Sequence, residues 1–555
     1  MAYANLGSAN RGKKLRRKRL VNRAYYTPLI ILLVIILVVI FSCGRKKESS
    51  RLVIGLNTQI ERLNPITIKN PQTFQVAWQI YEGLLDLDES GQIVPRIAER
   101  WETEDNKVWV FHIRKGVTFH RSEIFDTPSK TRNVTSHDVL HSFTSFCSPG
   151  AYPSFVLADS IKGCAEYSAG KAKRVKGLRV VDDYTFEIEL NKPEPFFLYR
   201  ITSPWIAIFP KEANIEKYKD RWGLDIAVGT GPYRLLSKTD NQIVLVRNED
   251  YWDKSRIPKI EKLVFRVIKN DQMRFSELLK NKIDLMILPN SLFFSVFDTD
   301  GNPKQKYKRR FKFKEIKTFN HHFIGVNIKK IRDIHLRRAM FYGTNRKEMV
   351  KKVLLGYADI LSGAIPPGMN GYIPTFKRIY DPDKAKKELK QSKYDGREIE
   401  LLVHDLASSE QICQVFQKQM KNIGINIKLT KLDFNSVIGR MVKGDVELFS
   451  MFAEIVFSSP EPLLLNLFST KKIPVPNFWH YSNPNTDKRL EELRNLTDRN
   501  ASLKACAEIE REIMEYVPAI FLYRQNQVVM FSNAFSNLKI NSHNHYMFEK
   551  MEKLH

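Results

Sequence analysis

Residues 107–114, KVWVFHIR, place Trp109, Phe111 and Ile113 at every second position, the period of a half-buried β-strand. Outward from it, 177–190 (GLRVVDDYTFEIEL) reads as two such strands around a turn at Asp182-Asp183. The same alternation returns in 242–248 (QIVLVRN) and 261–268 (EKLVFRVI). RLVIGLNTQ, at 51–59, is an apolar run closed by turn residues and predicts a further strand. Helical spacing runs through 75–84, 273–281, 335–354, 383–391, 407–423, 434–443 and 487–516. Ser136 is placed to cap one more helix at Ser136-His137-Asp138. Strands and helices alternate throughout, which predicts an α/β protein. No repeat of roughly 20–50 residues is visible, which argues against a solenoid or propeller.

A second stretch decides where the chain goes. Residues 27–46, TPLIILLVIILVVIFSCGRK, follow eight Lys/Arg and no acid. A basic segment, an apolar run from Leu29 to Phe41 and a small residue at Ser42 form a secretory signal. The run is shorter than the ~20 residues that span a bilayer. Ile40-Phe41-Ser42-Cys43 resembles the cleavage box of bacterial lipoproteins, with Phe41 bulkier than usual. That resemblance implies cleavage before Cys43 and a diacylglycerol on its sulfur. An uncleaved signal anchor is the alternative. On the lipoprotein reading, 1–42 is the signal peptide and 43–51 a polar tether. The remainder is exported and anchored in the cell envelope, periplasmic or on the outer face of the cytoplasmic membrane.

About 510 residues follow the leader, enough for two or three domains. With 43% hydrophobic and 11% aromatic residues, the whole chain has the composition of a folded protein. The formal net charge of +28 falls to about +20 after the leader, which suits an anionic surface or acidic ligands. On the lipoprotein reading, export argues against nucleic acid as a partner. The basic, aromatic stretch 304–317 (KQKYKRRFKFKEIK) reads instead as a strand with one solvated Lys face. Cys147, Cys164, Cys413 and Cys506 remain after Cys43, and four cysteines allow three pairings. Cys147–Cys164 is favoured by its short separation, and four buried thiols are the alternative. His321-His322 and His543-Asn544-His545 lack the further converging ligands of a metal site. No nucleophile elbow, HExxH, phosphate loop, dinucleotide fingerprint or CxxC is present, so neither catalysis nor a cofactor is predicted.

From residue 52 onward the chain carries an ordered series of short elements. They begin with Leu63-Asn64-Pro65, Tyr81-Glu82-Gly83-Leu84-Leu85, Val94-Pro95, Ala98-Glu99-Arg100-Trp101 and Trp109 to Val117. Next come Val134-Thr135-Ser136-His137-Asp138-Val139, Gly229-Thr230-Gly231-Pro232-Tyr233 and Tyr251-Trp252. Val326-Asn327, Arg337-Arg338-Ala339, Ile365-Pro366-Pro367, Tyr380 to Ala385, Asn422-Ile423-Gly424-Ile425 and Val517-Pro518-Ala519 complete it. In this order they resemble the bacterial extracellular solute-binding proteins of family 5, the oligopeptide- and dipeptide-binding lipoproteins of ABC importers.

The resemblance implies a two-lobed periplasmic-binding-protein fold (type II, cluster C), with an extra inserted domain and a hinge between the lobes. Domain I would comprise 52–78, 188–318 and 521–555; domain II, 79–187; domain III, 319–520. It implies a monomer that encloses a peptide as the lobes close and hands it to ABC permease subunits. The peptide would lie extended and pair main chain to main chain, which leaves few diagnostic side chains. The family's aspartate for the ligand α-ammonium falls on Val456, so Glu454, two residues away on the same strand face, and Glu461 become the candidates. Lys69 and Asn70 align with ligand-lining positions, where Pro71 has no N–H to offer. Tyr152 aligns with a cleft aromatic or serves the core. Residues 403–420 contain no Arg for a ligand carboxylate, which argues against a strict dipeptide ligand. A muropeptide or non-peptide ligand on the same fold, or a surface lipoprotein without transport, are the other readings.

Overall fold

The computed structural model describes residues 50–369, 372–374, 380–404, 407–453, 459–541 and 544–554. Cys43, Glu454, Val456 and His543 lie outside the described residues. Two long strands, Phe311–Val326 and Ala519–Ser532, organise the rest. They pair antiparallel, and the register slips between Lys317 and His321 and again between His322 and Phe323. Before the slip they belong to one half of a mixed sheet, beside Leu285–Leu288, Arg51–Leu56, Lys262–Val267, Gln242–Arg247 and Tyr233–Lys238. After it they belong to the other half, beside Leu448–Ala453, Ile399–His404 and Ile427–Leu432. Each half has its own apolar core, one built chiefly from residues 52–265 and the C-terminal segment, the other from 319–523. Two strands of one sheet thus connect two separately packed bodies.

The stretch 107–114 sits within a second, four-stranded antiparallel sheet, ordered Ala98–Glu102, Val108–Ile113, Thr185–Glu189, Leu178–Asp182. Trp109, Phe111 and Ile113 are all buried, as the alternation predicts. The turn falls one residue later than predicted, at Asp183-Tyr184, because Asp182 ends its strand paired with Thr185; Cys147 and Cys164 form the disulfide. Cys413 and Cys506 are buried free thiols.

Several predicted elements differ. Thr135, not Ser136, is the N-cap of Ser136–Phe146, in a capping box with Asp138. The helix predicted over 335–354 is two, Ile334–Gly343 and Arg346–Leu354, because Asn345 accepts the Glu348 N–H (3.1 Å) and starts a new one. Asp498 does the same for Arg499–Glu515, separating it from Pro484–Leu493. The helix predicted over 75–84 runs Pro71–Ala77, capped by Asn70, with Pro at its first position, where the missing N–H costs nothing. Stretch 304–317 is a short helix, Gln305–Lys308, before the long strand begins at Phe311.

Several elements of the ordered series meet in one buried cluster. Glu82 accepts hydrogen bonds from Thr230 Oγ1 (2.9 Å), Tyr251 OH (2.7 Å) and Trp252 Nε1 (2.8 Å). A Cβ on Gly229 would lie 2.1 Å from the Ile80 carbonyl oxygen, and one on Gly231 2.6 Å from that of Gln79. Glycine is required there by close approach of backbone to backbone. These residues hold the fold together and line no large cavity.

Candidate functional site

One wall of the site is aromatic. The loop Ile66–Asn70 packs on the turn that follows helix Ser136–Phe146: Tyr152 N–H donates to the Ile66 carbonyl (3.0 Å). Trp205 Nε1 donates to the Ile68 carbonyl (3.1 Å) and its ring meets Phe74 edge to face at 4.9 Å. Tyr152, tilted, and Phe155, edge to face, pack against this buried indole at 6.1 and 5.4 Å, yet are 38% and 45% exposed, so part of each ring is open. The disulfide Cys147–Cys164 closes the loop that carries both rings. Lys69 lies with Nζ 5.8 Å from the Tyr152 ring centre, so two predicted site residues are neighbours. Asn70 turns its side-chain oxygen to the Thr73 N–H (2.8 Å) and hydroxyl (2.9 Å), spending it on its own helix.

The opposite wall comes from the second core. Leu448–Ala453 leads towards Glu454 and Val456, which are outside the described residues, and helix Pro460–Phe468 follows. Glu461, in the first turn of that helix, is buried. A cavity of about 490 Å³ separates it from Phe155, Ala158, Lys192, Glu194 and Arg200 on the first wall. Burial, with the Glu194 carboxylate nearby, pushes the Glu461 carboxyl up to about 7 despite Arg200, Arg494 and Lys192. Arg200 Nε donates to Glu194 (2.7 Å), and Nη2 donates to the same oxygen. Elsewhere the walls touch. The Arg499 guanidinium lies over Phe196 (5.9 Å) and Tyr199 (5.4 Å), Nη2 donates to Tyr199 OH (3.2 Å), and Asn106 Nδ2 donates to the Thr497 carbonyl (3.3 Å).

The histidines resolve differently. The His322 ring stacks on Tyr523 at 4.7 Å, and His404 stands 5.9 Å from Phe452, which is also 6.0 Å from His322. Burial drives His321 down to about 3 and His322 to about 4, so both are neutral at pH 7. His545 stacks on Trp78 at 4.9 Å beside Asp86. Among the described residues no cluster of three His, Cys, Asp or Glu side chains is arranged to hold a metal ion. Arg200, Glu194 and Lys192 escape the sequence reading because nothing local marks them. Their role depends on a residue more than two hundred and fifty positions away.

The family described as bacterial extracellular solute-binding proteins, family 5, matches residues 92–474. A curated relative described as Heme-binding protein A, from Haemophilus influenzae, is 26% identical over 475 residues, covering 82% of this chain and 80% of that protein. Dipeptide-binding protein from Escherichia coli is 26% identical over 394 residues, 68% of this chain and 70% of that one. The solved structure of HbpA2 from Haemophilus parasuis superposes with a TM-score of 0.75 at 22% identity, covering 91% of this chain and 99% of that chain.

Proposed function

Because this chain belongs to the bacterial extracellular solute-binding proteins of family 5, with their two-lobed type II fold, we propose that it captures oligopeptides between its lobes and delivers them to an ABC importer. The observation that carries the proposal is the 490 Å³ cavity between walls from the two cores, bordered by the open face of Phe155 and the buried carboxylate of Glu461. That is the environment an extended zwitterionic ligand needs: apolar surface for side chains and a counter-charge for its ammonium. Proteins of this family bind solutes, and we assign this one no catalytic step. We divide it into domain I (52–78, 188–318, 521–555), domain II (79–187) and domain III (319–520). Arg499 on Tyr199 then joins domain III to domain I and stabilises the closed state.

Purification of residues 44–555 followed by native mass spectrometry is the test. Heterogeneous peptides in a narrow length range are expected to co-purify. A single non-peptide species would overturn the peptide reading. Glu454 is the first candidate for the α-ammonium, and Glu454→Ala is expected to weaken peptide binding by ~2 kcal/mol, as loss of one buried charged partner does. Unchanged affinity by calorimetry would remove Glu454 from the site.

A muropeptide or non-peptide ligand in the same cleft is the second reading. It is favoured by the neutral His322 imidazole among Tyr523, Phe452 and His404, a setting suited to a flat ring. Among the described residues no helix is long and apolar enough to cross a membrane. We place membrane attachment on a lipid at Cys43, a reading supported by the lipoprotein-like box Ile40-Phe41-Ser42-Cys43. Cys43→Ala is expected to move the protein wholly from the membrane to the soluble fraction. Retention in the membrane would make the apolar run a true anchor.

A further inference from the structure

We propose that the end of the large sheet at which the folded chain begins is a docking face for an anionic phospholipid bilayer. This contact is electrostatic, rests on the reading of Cys43 as the membrane anchor, and fixes how the protein stands on its membrane.

Five strand ends meet at this edge. Arg51, the first residue of its strand, pairs in register with Lys262. The Asp284 N–H donates to the Val53 carbonyl (2.7 Å), and the Ser532 N–H donates to the Asp284 carbonyl (2.8 Å). Ser532 pairs in register with Phe311. Asn533 donates its N–H to the Arg310 carbonyl (3.0 Å) and Nδ2 to the Arg309 carbonyl (3.0 Å), and Arg310 Nη2 donates to Asn281 Oδ1 (2.9 Å). The strand pair Phe535–Ser536 and Glu552–Lys553 follows directly. Strands lie ~4.8 Å apart, so five ends span about 20 Å. Residue 51 and segments 259–262, 277–284, 306–312 and 552–553 compose this end and hold eleven Lys/Arg against four Asp/Glu. Without the eleven Lys/Arg and one Glu that precede Arg51, the chain's 89 and 61 become 78 and 60, so the excess is concentrated here. Three of the four acids are engaged. Glu277 takes Arg266 (3.2 Å) and Lys282 (3.6 Å), and Glu552 takes Lys259 (2.7 Å). Asp284 accepts the Val53 N–H (2.8 Å), and burial pushes its carboxyl up against the pull of Arg51 and Lys553. Glu261, half-buried, is the fourth. Lys262, Lys280, Lys308 and Arg309 are exposed and stand in no ion pair among the described residues.

The length of the tether selects the partner. Cys43 precedes Arg51 by eight residues, at most about 29 Å of extended chain. A body of about 500 residues has a radius of gyration near ~23 Å and is about 60 Å across. Only the end around Arg51 can therefore stay close to the bilayer. Arg45, Lys46 and Lys47 lie in the tether and add to the same charge. Charges act over a Debye length of ~8 Å at physiological salt, so a basic face held this near is drawn onto anionic headgroups. Leu554, 46% exposed beside Lys553, offers an apolar side chain to the headgroup layer. A protein partner would need an apolar contact core, whereas this end is charged across its width.

The test is co-sedimentation of residues 44–555, which hold the whole folded body and no lipid, with vesicles of phosphatidylcholine alone or with one-third phosphatidylglycerol. The anionic vesicles are expected to bind at least tenfold more tightly at physiological salt and to lose that advantage near ~1 M salt, where the Debye length is ~3 Å. Each Lys or Arg at such a surface is worth roughly fivefold in affinity. Lys262→Glu, Lys280→Glu and Arg309→Glu combined are therefore expected to abolish the preference. Lys386→Glu, Lys421→Glu and Lys428→Glu combined make the same charge change on exposed residues of the second core and are expected to keep it. Equal loss in both triple variants would make binding a matter of net charge and overturn the face. Equal binding of the wild type to neutral and anionic vesicles, or none to either, overturns the proposal without need of a variant. If the wild type ignores vesicles while the first triple variant loses peptide uptake in cells, the face belongs to a protein partner and the bilayer is overturned. Fractionation of Cys43→Ala in high salt reads the lipid alone, so failure of the anchor and failure of this face are seen separately.

Discussion

Asp359→Ala is expected to lower the free energy of unfolding by about 3 kcal/mol, because it strands a buried guanidinium. Arg524 is 4% exposed on the long strand Ala519–Ser532. Its Nε and Nη2 both donate to Asp359 Oδ2, at 2.9 and 2.6 Å. Its remaining acceptor among the described contacts is the Thr318 carbonyl at 3.5 Å. Asp359 lies directly across the strand pair from Arg524, and Lys317 Nζ stands 3.6 Å from the same oxygen. The carboxylate therefore sits between two cations where the register of the long strands slips. An exposed pair such as Arg121–Asp250 is worth only ~0–1 kcal/mol, since water screens both partners. Asp359→Asn keeps an acceptor and should cost less. Urea unfolding of the three proteins measures this. A loss under ~1 kcal/mol would mean that water from the adjoining cavity of about 270 Å³ solvates the guanidinium.

Glu82→Ala is expected to cost about 3–5 kcal/mol, the range seen when one partner of a buried charged network is removed. Three donors, Thr230 Oγ1, Tyr251 OH and Trp252 Nε1, would lose their acceptor at once. Arg256 would lose one of two carboxylates whose charge holds its guanidinium raised, and keep Glu549. Glu82→Gln preserves the volume but turns an amide N–H₂ towards donors, so a smaller loss is expected. Thermal and urea unfolding followed by tryptophan fluorescence would register both. Equal stability of Glu82→Ala and wild type would show that the cluster is not cooperative.

These two sites mark how far the sequence could be read. Glu82, Gly229, Thr230, Gly231, Tyr251 and Trp252 were legible as an ordered series, and they interlock through short hydrogen bonds and backbone approaches that tolerate few replacements. The alternation at 107–114 was legible because one face of the strand is buried. Helix breaks at Thr344-Asn345 and before Arg499 were missed, since an asparagine or aspartate cap within a periodic run competes with the periodicity that hides it. The N-cap at Thr135 was displaced by one residue for the same reason: Thr and Ser adjoin, and only the Asp138 contact separates them.

The ligand site divides in the same way. Local patterning was enough for the family and the mixed α/β class, because buried strand faces and required glycines each leave a signature within a few residues. The cleft leaves none. Glu461 faces Glu194 and Arg200 only because the two long strands Phe311–Val326 and Ala519–Ser532 bring two separate cores face to face, and Lys69 meets Tyr152 only because two segments some eighty residues apart pack within the first core. A site that binds largely through ligand backbone and roomy pockets places weak demands on any single residue. Which carboxylate is buried, which arginine is already paired and where charge is left uncompensated are properties of neighbours in space, and tertiary structure alone decides them.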